Sequence, residues 1–266
     1  MHVIVCLKQV PDPEIPPSKF KVDPATKQVI PPAGVPPVTS VFDERALEGA
    51  CRLKDKVKAK ITAVTLGPAS AADVIKNAFK MGADEGIHLQ DKAFDNLDGF
   101  GVAFVLSKAI QKIGAYDVIL CGRQAADWDS GQVGSILGEI MGIPVVTIAR
   151  DIKAVDNKLR VERVLKDGYQ AVEVQTPCLV TVSNEIGLPR LPSGMGIIAA
   201  ARKKATVWTA QDIQTDAAQI AAASGHTQIV ELSVPIREAK VELIAGANAR
   251  EAGTKLASKL REANIV

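Results

Sequence analysis

Two aspartates, a serine and two glycines stand between strand-forming residues and a helical pattern in CGRQAADWDSGQVGSILGEIMGIP, residues 121–144. That combination suits the binding of a phosphate by backbone. Gly131 and Gly134 let main chain come close to a ligand. The amides of Ser130, Gly131, Gln132 and Val133, free at a helix start, point out of the helix. Together with the helix dipole they can hold an anion without a lysine. The acids need not touch it. Asp129 with Gln132 three positions on reads as a capping box. Asp127 can meet ribose hydroxyls or loop amides. Both acids also read as residues that only order a turn. Trp128 either covers a planar ring or packs on a neighbouring loop. No GxGxxG fingerprint follows the first strand, and no Walker A motif occurs.

Other chemistries have little to start from. Cys6, Cys51, Cys121 and Cys178 are far apart, form no CxxC pair, and read as buried reduced thiols. His2, His88 and His226 do not cluster, so neither a metal site nor a histidine-based triad is expected. A formal charge of +2 and 4% aromatic residues argue against a nucleic-acid binder, and ARKK at 201–204 reads as a solvated helix end. The first apolar run is too short for a signal sequence, and no stretch reaches the length of a membrane span. The chain is therefore expected to be soluble, cytoplasmic and free of membrane insertion.

The elements that position the corner follow from periodicity. HVIVCLKQV, KITAVTLG, GIHL, DVILCG and IPVVTIARDI read as strands. A proline-rich excursion of loops and short extended pieces follows the first of them. A helix carries Ala46, Leu47, Ala50, Cys51 and Val57 on one face, with Asp43 as its N-cap. SAAD, residues 70–73, resembles a capping box opening a helix through Val74, Ile75, Ala78 and Phe79. Further helices run through Val102 to Ile113 and through Val133 to Met141. Strands that look buried on both faces, alternating with helices, give an α/β class with a doubly wound, mostly parallel sheet. Its ligand is expected beyond the carboxyl ends of the strands, near Cys6, Leu66 and Gly122. After Asp151 a β-hairpin forms around KDG, followed by a third extended run. NEIGLPRLPSGMG reads as a surface loop and IIAAARKK as a short helix. From Ala205 onward few large apolar residues occur, as suits an extended C-terminal arm. The expected division is an adenine-nucleotide-binding domain over residues 1–204 and the arm over 205–266.

Six segments occur in an order that resembles the β subunit of electron transfer flavoprotein: VCLKQVPD, VFDERALEGACRLKD, VTLGPASAADVIKNAFKMGADEGIHL, LCGRQAADWDSGQVG, VERVLKDG and PCLVTVSNEIGLPRLPS. The resemblance covers the chain to about Lys204 and weakens beyond it. It implies a heterodimer with an α subunit that holds most of the redox FAD, and a C-terminal arm that packs on that subunit. It implies a second adenine nucleotide in this chain: AMP in simple carriers, a second FAD in electron-bifurcating members. The implied pocket comprises Cys6, then Ser40, Val41, Phe42 and Asp43, then Leu66. It is completed by Gly122, Arg123, Gln124, Ala125, Ala126, Asp127, Trp128, Asp129, Ser130, Gly131, Gln132, Val133 and Gly134. Arg163 matches the arginine of the family's VER segment and is implied to lie near the α-subunit FAD. The flavin performs the chemistry, so no catalytic residue is expected here.

The resemblance further implies that a dehydrogenase docks at the loop 189–196, between Pro189 and Gly196. Family members that dock acyl-CoA dehydrogenases carry a leucine anchor there, whereas Gly194 occupies the aligned position, with Met195 beside it. PDPEIPPSKF is longer than in simple carriers. The order of Asp127, Asp129, Gln132, Val133 and Gly134 leans to the bifurcating type, and bulky Trp128 leans away from it. The reading is an electron carrier, with an NADH-oxidising bifurcating form as its alternative. A stand-alone nucleotide-binding stress module is the alternative of another class. It would need no hairpin, docking loop or arm.

Overall fold

The run HVIVCL forms β1 (His2–Leu7), which turns Val3 and Val5 to one face and Ile4 and Cys6 to the other. Both faces are buried, which is why the run shows no polar alternation. A computed structural model describes residues 1–235 and 241–266. In chain order the next pieces are β2 (Gln9–Val10), β3 (Lys21–Asp23), β4 (Gln28–Ile30) and β5 (Val38–Thr39). They pair as two small ribbons, β2 with β5 and β3 with β4, and make up the proline-rich excursion.

The main unit then alternates. It contains α1 (Val41–Val57), β6 (Lys60–Leu66), α2 (Ala72–Met81), β7 (Glu85–Leu89), α3 (Gly99–Ile113), β8 (Val118–Gly122), α4 (Val133–Met141) and β9 (Val145–Val155). It continues with β10 (Lys158–Leu165), β11 (Gly168–Gln175), β12 (Cys178–Val182), α5 (Gly194–Ala201), β13 (Thr206–Trp208) and α6 (Ala217–Ala222). One nine-stranded sheet runs β11-β10-β9-β12-β8-β1-β6-β7-β13, parallel from β9 to β13 and antiparallel through β9, β10 and β11. Helices α1 and α2 cover one face and α3 and α4 the other, each over its own apolar cluster. The doubly wound, mostly parallel α/β class is therefore observed. The chain leaves β1 for β6 on one side and returns to β8 on the other. The gap between the ends of β1 and β8 is thus the switch point at which α/β sheets bind ligands.

Several local expectations change. Asp43 lies inside the first turn of α1. Ser40 occupies the N-cap and makes no side-chain cap bond. Val57 is exposed, beyond the buried stripe. A 3-10 turn (Ala69–Ala71) precedes α2, and Ser70 Oγ donates to Gln9 Oε1 at 2.7 Å rather than capping the helix. The short helix expected at IIAAARKK begins earlier, at Gly194 within the loop 189–196, is capped by Ser193, and ends at Ala201. The third extended run is β12, an interior strand between β8 and β9. Residues 206–208 join the sheet beside β7, and the first compact unit extends over Met1–Leu232. The boundary drawn at Lys204 is thus crossed by the sheet itself. A second unit spans Ser233–Val266 and contains α7 (Ala249–Glu262), capped by Asn248. The part of the expected arm at 236–240 lies outside the described residues.

Close packing between α2 and β7 depends on Gly86. A Cβ there would lie 2.8 Å from Phe79 Cζ and closer still to Ile75. Gly86→Ala is expected to cost about 1–3 kcal/mol, as overpacking does. A reduced urea midpoint with an unchanged m-value would show it, and an unchanged midpoint would contradict the packing.

Candidate functional site: the corner between β8 and α4

Asp43 organises the switch point. Its carboxyl accepts from Lys8 N at 2.8 Å, just past β1, and from Gly122 N at 3.0 Å, at the end of β8. One side chain on α1 thus ties together the ends of two neighbouring strands. Gly122 must be glycine, because a Cβ would come 2.5 Å from Asp43 Oδ1 and 2.7 Å from Phe42 Cβ. Ser40, fully buried, donates N–H to Lys8 O at 2.9 Å and accepts from Ala126 N at 3.3 Å. Phe42 lies under the Arg123 guanidinium, 5.1 Å from ring centre to Cζ. Cys6, one residue before the end of β1, lies next to Cys121 on β8, and a hydrogen bond between the thiols, then burial, pushes Cys121 far up.

The two acids of the corner are already engaged. Asp127 receives Lys8 Nζ at 2.6 Å and its own neighbour Trp128 N at 2.9 Å. Asp129 stands at φ +51° and receives Gln124 Nε2 at 2.7 Å. It does not cap α4. The N-cap position belongs to Gln132, which makes no side-chain cap bond. The capping-box expectation is therefore corrected, and the helix start is left with its donors unspent. Among the described residues, the amides of Ser130, Gly131, Gln132 and Val133 have no hydrogen-bond acceptor. Gly131 has φ +62°, and a Cβ would sit 3.3 Å from Arg123 O. Gly134 is used differently: a Cβ there would meet Thr181 Cγ2 at 2.7 Å, so it serves the approach of α4 to the sheet.

Beside Gly131 and Gln132 runs a groove of about 400 Å³, walled by Phe100, Ile136 and His226. Trp128 is exposed, at 51% of its surface, and does not line this groove. Cys6, Ser40, Val41, Phe42, Asp43 and the corner thus gather at one place. Leu66, half-buried at the end of β6, shares that edge of the sheet but bonds to β7 rather than to the corner. Arg163 stands apart on β10, where its Nη2 donates to Thr147 Oγ1 at 3.0 Å. Sequence reasoning missed Lys8, although it lies in the quoted VCLKQVPD. It also missed the network in which Arg123 Nη1 reaches Ser183 Oγ at 3.4 Å and Ser183 donates to Glu185. No spacing rule joins those residues, because the link runs across adjacent strand ends. Among the described residues no cluster could hold a metal ion, and no helix is long and apolar enough to cross a membrane.

A family model, the electron transfer flavoprotein domain, matches residues 33–213. The electron transfer flavoprotein β subunit of Thermoanaerobacterium thermosaccharolyticum is 39% identical, over 100% of both chains. The chain belongs to the electron transfer flavoprotein family. Its function is that of a β subunit in flavoprotein electron transfer, and FAD is the redox group associated with the family. Other relatives of this electron transfer flavoprotein chain are named as parts of complexes. Subunit CarD of the caffeyl-CoA reductase-Etf complex of Acetobacterium woodii is 36% identical over 100% of both chains. The acryloyl-CoA reductase electron transfer subunit gamma of Anaerotignum propionicum is 37% identical, over 74% of this chain and 73% of its own.

The Asp43 staple carries a pH signature. Burial pushes its carboxyl up to about 7, against the N–H donors of Lys8 and Gly122 and the Lys8 charge, while Asp127 adds to the rise. The folded subunit therefore keeps a proton that the unfolded chain releases near pH ~4. This stabilisation is complete below about pH 4 and is lost as the pH rises towards about 7. Asp43→Asn, neutral throughout, should flatten the fall in urea midpoint across that window. An identical slope in the variant would refute the assignment.

Proposed function

We propose that the corner holds an adenine nucleotide in a heterodimer whose α subunit carries the redox FAD, so that this chain orients an electron carrier between a dehydrogenase and a downstream acceptor in the cytoplasm. The observation that carries this reading is the set of unpartnered amides at the start of α4, at the switch point of the sheet. Backbone donors and a helix dipole fit a phosphate. The adjoining groove has room for a nucleoside, whose volume falls in the usual range for small ligands. Lys8 offsets the charge of Asp127, so the acid does not repel the phosphate. FAD, when bound, supplies the one-electron and hydride chemistry. The protein's own part is to orient, to supply charge and to limit solvent access.

The choice between AMP and a second FAD separates a single-flavin carrier from a bifurcating form that oxidises NADH. The order Asp127, Asp129, Gln132, Val133, Gly134 favours the second reading. Nucleotides released by denaturing the co-expressed heterodimer decide it. One FAD and one AMP support the carrier. Two FAD and no AMP make the corner a flavin site. A homodimer that binds ATP and ignores the α subunit would overturn both. Gly131→Val should reduce nucleotide retention several-fold while the sheet stays folded, because it adds bulk and strain where backbone meets phosphate. Asp127→Ala should lower occupancy if the acid meets ribose. Lower thermal stability alone would assign it to the turn.

Partner docking follows from the loop after β12. Leu188, Leu191 and Met195 are exposed at 79%, 91% and 77%. The loop's base is fixed from below: Glu48 on α1 accepts Arg190 N and Nε at 3.0 and 2.8 Å, and Arg52 Nη1 donates to Ile186 O at 2.6 Å. These apolar tips replace the leucine missing at Gly194. Similarity to subunits of CoA-ester reductase complexes favours a partner that acts on CoA esters. The apolar exposure of Val241 and Leu243 suits an arm that packs on the α subunit. Leu191→Ala should raise the KM for an acyl-CoA dehydrogenase of the same source about tenfold and leave nucleotide content unchanged. An unaltered KM would remove the loop from the docking surface.

A further inference from the structure

A loop that turns its apolar residues to solvent cannot be held in shape by burying them. The segment after β12 is such a loop. Leu188, Leu191 and Met195 are exposed, and no residue of α5 is buried. Its supports are polar and come from the helices beneath it, at three places. At the first, Arg52 Nη1 donates to Ile186 O at 2.6 Å. Gly187 follows at φ +106°, so close that a Cβ would lie 3.3 Å from Arg52 Nη2. Arg190 is the second place. At the third, Ser193 Oγ accepts from Gly196 N at 3.0 Å, and Gly196 lies against the end of α2, where a Cβ would come 2.8 Å from Lys80 O. The supported positions thus alternate with the exposed apolar tips.

The support at Arg190 is the most elaborate. Glu48 has only 6% of its side chain exposed. Its Oε2 accepts from Arg190 Nε at 2.8 Å and from the Arg190 amide at 3.0 Å, so one carboxylate grips both the side chain and the main chain of a single loop residue. Its Oε1 accepts from Arg52 Nε at 2.9 Å. Arg190 Nη2 continues to Asp55 Oδ2 at 2.8 Å. The guanidinium therefore spans two acids of α1, which a point charge on a lysine cannot do. Ion pairs shielded from water contribute little net stability, and their attested use is to select one arrangement over others.

We propose that Arg190 is a positioning residue for partner docking: gripped by Glu48 and Asp55, it holds the loop in one shape, so that Leu188, Leu191 and Met195 enter an apolar pocket of a dehydrogenase acting on CoA esters without first being ordered. The inference rests on the reading that this loop docks that dehydrogenase. The guanidinium spends its donors on α1 and leaves the contact to the apolar tips. A surface held ready in its bound shape gains affinity because less freedom is lost on binding.

The test uses the purified heterodimer as electron acceptor for an acyl-CoA dehydrogenase of the same source. It reads KM and kcat, hydrogen exchange of the amides of residues 187–196, nucleotide content and melting temperature. Arg190→Ala should raise KM about fivefold, speed exchange in the loop and leave kcat unchanged. Glu48→Gln should do the same, and the double variant should be no worse than either alone. Arg190→Lys, which keeps the charge but cannot span both acids, should recover only part of the KM. Asp55→Asn releases the exposed end of the guanidinium and should give a smaller rise; it decides the matter if the Arg190 and Glu48 variants do not fold. Full recovery in Arg190→Lys or additive shifts would overturn the positioning role alone. So would an unchanged KM in Arg190→Ala and Asp55→Asn beside a raised KM in Leu191→Ala. An unchanged KM in Leu191→Ala overturns the docking reading and the proposal with it.

Discussion

A single buried carboxyl holds open the place where the sheet divides. Parallel strands β1 and β8 lie side by side, yet the chain departs from their ends in opposite directions, leaving backbone donors without strand partners. Asp43 takes one donor from each, at Lys8 and Gly122. Everything at the corner is arranged around that bridge. Gly122 has no side chain because the carboxyl fills the space, and Ser40 fastens the loop at Ala126 from the same helix start. Helix α1 carries the consequence further. Its first turn holds the switch point, and Glu48 and Arg52 on later turns hold the base of the exposed loop around Arg190. The corner and the exposed loop are thus referenced to one rigid element.

The acids of the corner also leave its backbone donors free. Asp127 is matched by Lys8, and Asp129 is turned aside to Gln124 in a left-handed conformation that aspartate tolerates. Neither competes for the amides of Ser130 to Val133. The acid-rich composition of the loop therefore describes its internal wiring, and the donors it leaves unspent are backbone amides.

The parallel core was legible because strands buried on both faces appear as unbroken runs such as VIVC and VILC, and the helices because Val74, Ile75, Ala78 and Phe79 repeat at helical spacing. The corner was legible by its glycines and its place between strand and helix. What escaped was set by contacts between distant segments. Ser70 and Asp129 carry capping spacing, but Gln9 and Gln124 claimed them first. Asp43 read as a cap because its partners lie 35 and 79 positions away. The three residues of β13 are too few to show a period, and only the open edge of β7 makes them a strand. Ile148 on β9 gives no sign of its positive φ, since nothing local favours it.

Strand β12 has a consequence for how the chain is made. It is synthesised after the hairpin but inserts between β8 and β9, strands that precede it. Until Val182 has left the ribosome, the growing chain must keep the facing edges of β8 and β9 apart, both apolar and both unpaired on that side. The hairpin emerges as a local, fast-forming structure, whereas the sheet it belongs to closes only through contacts distant in sequence. A nascent or truncated chain ending at Gln175 would therefore present two adhesive edges where the finished protein has none. The late strand thus marks the interval in which those edges are exposed to other chains.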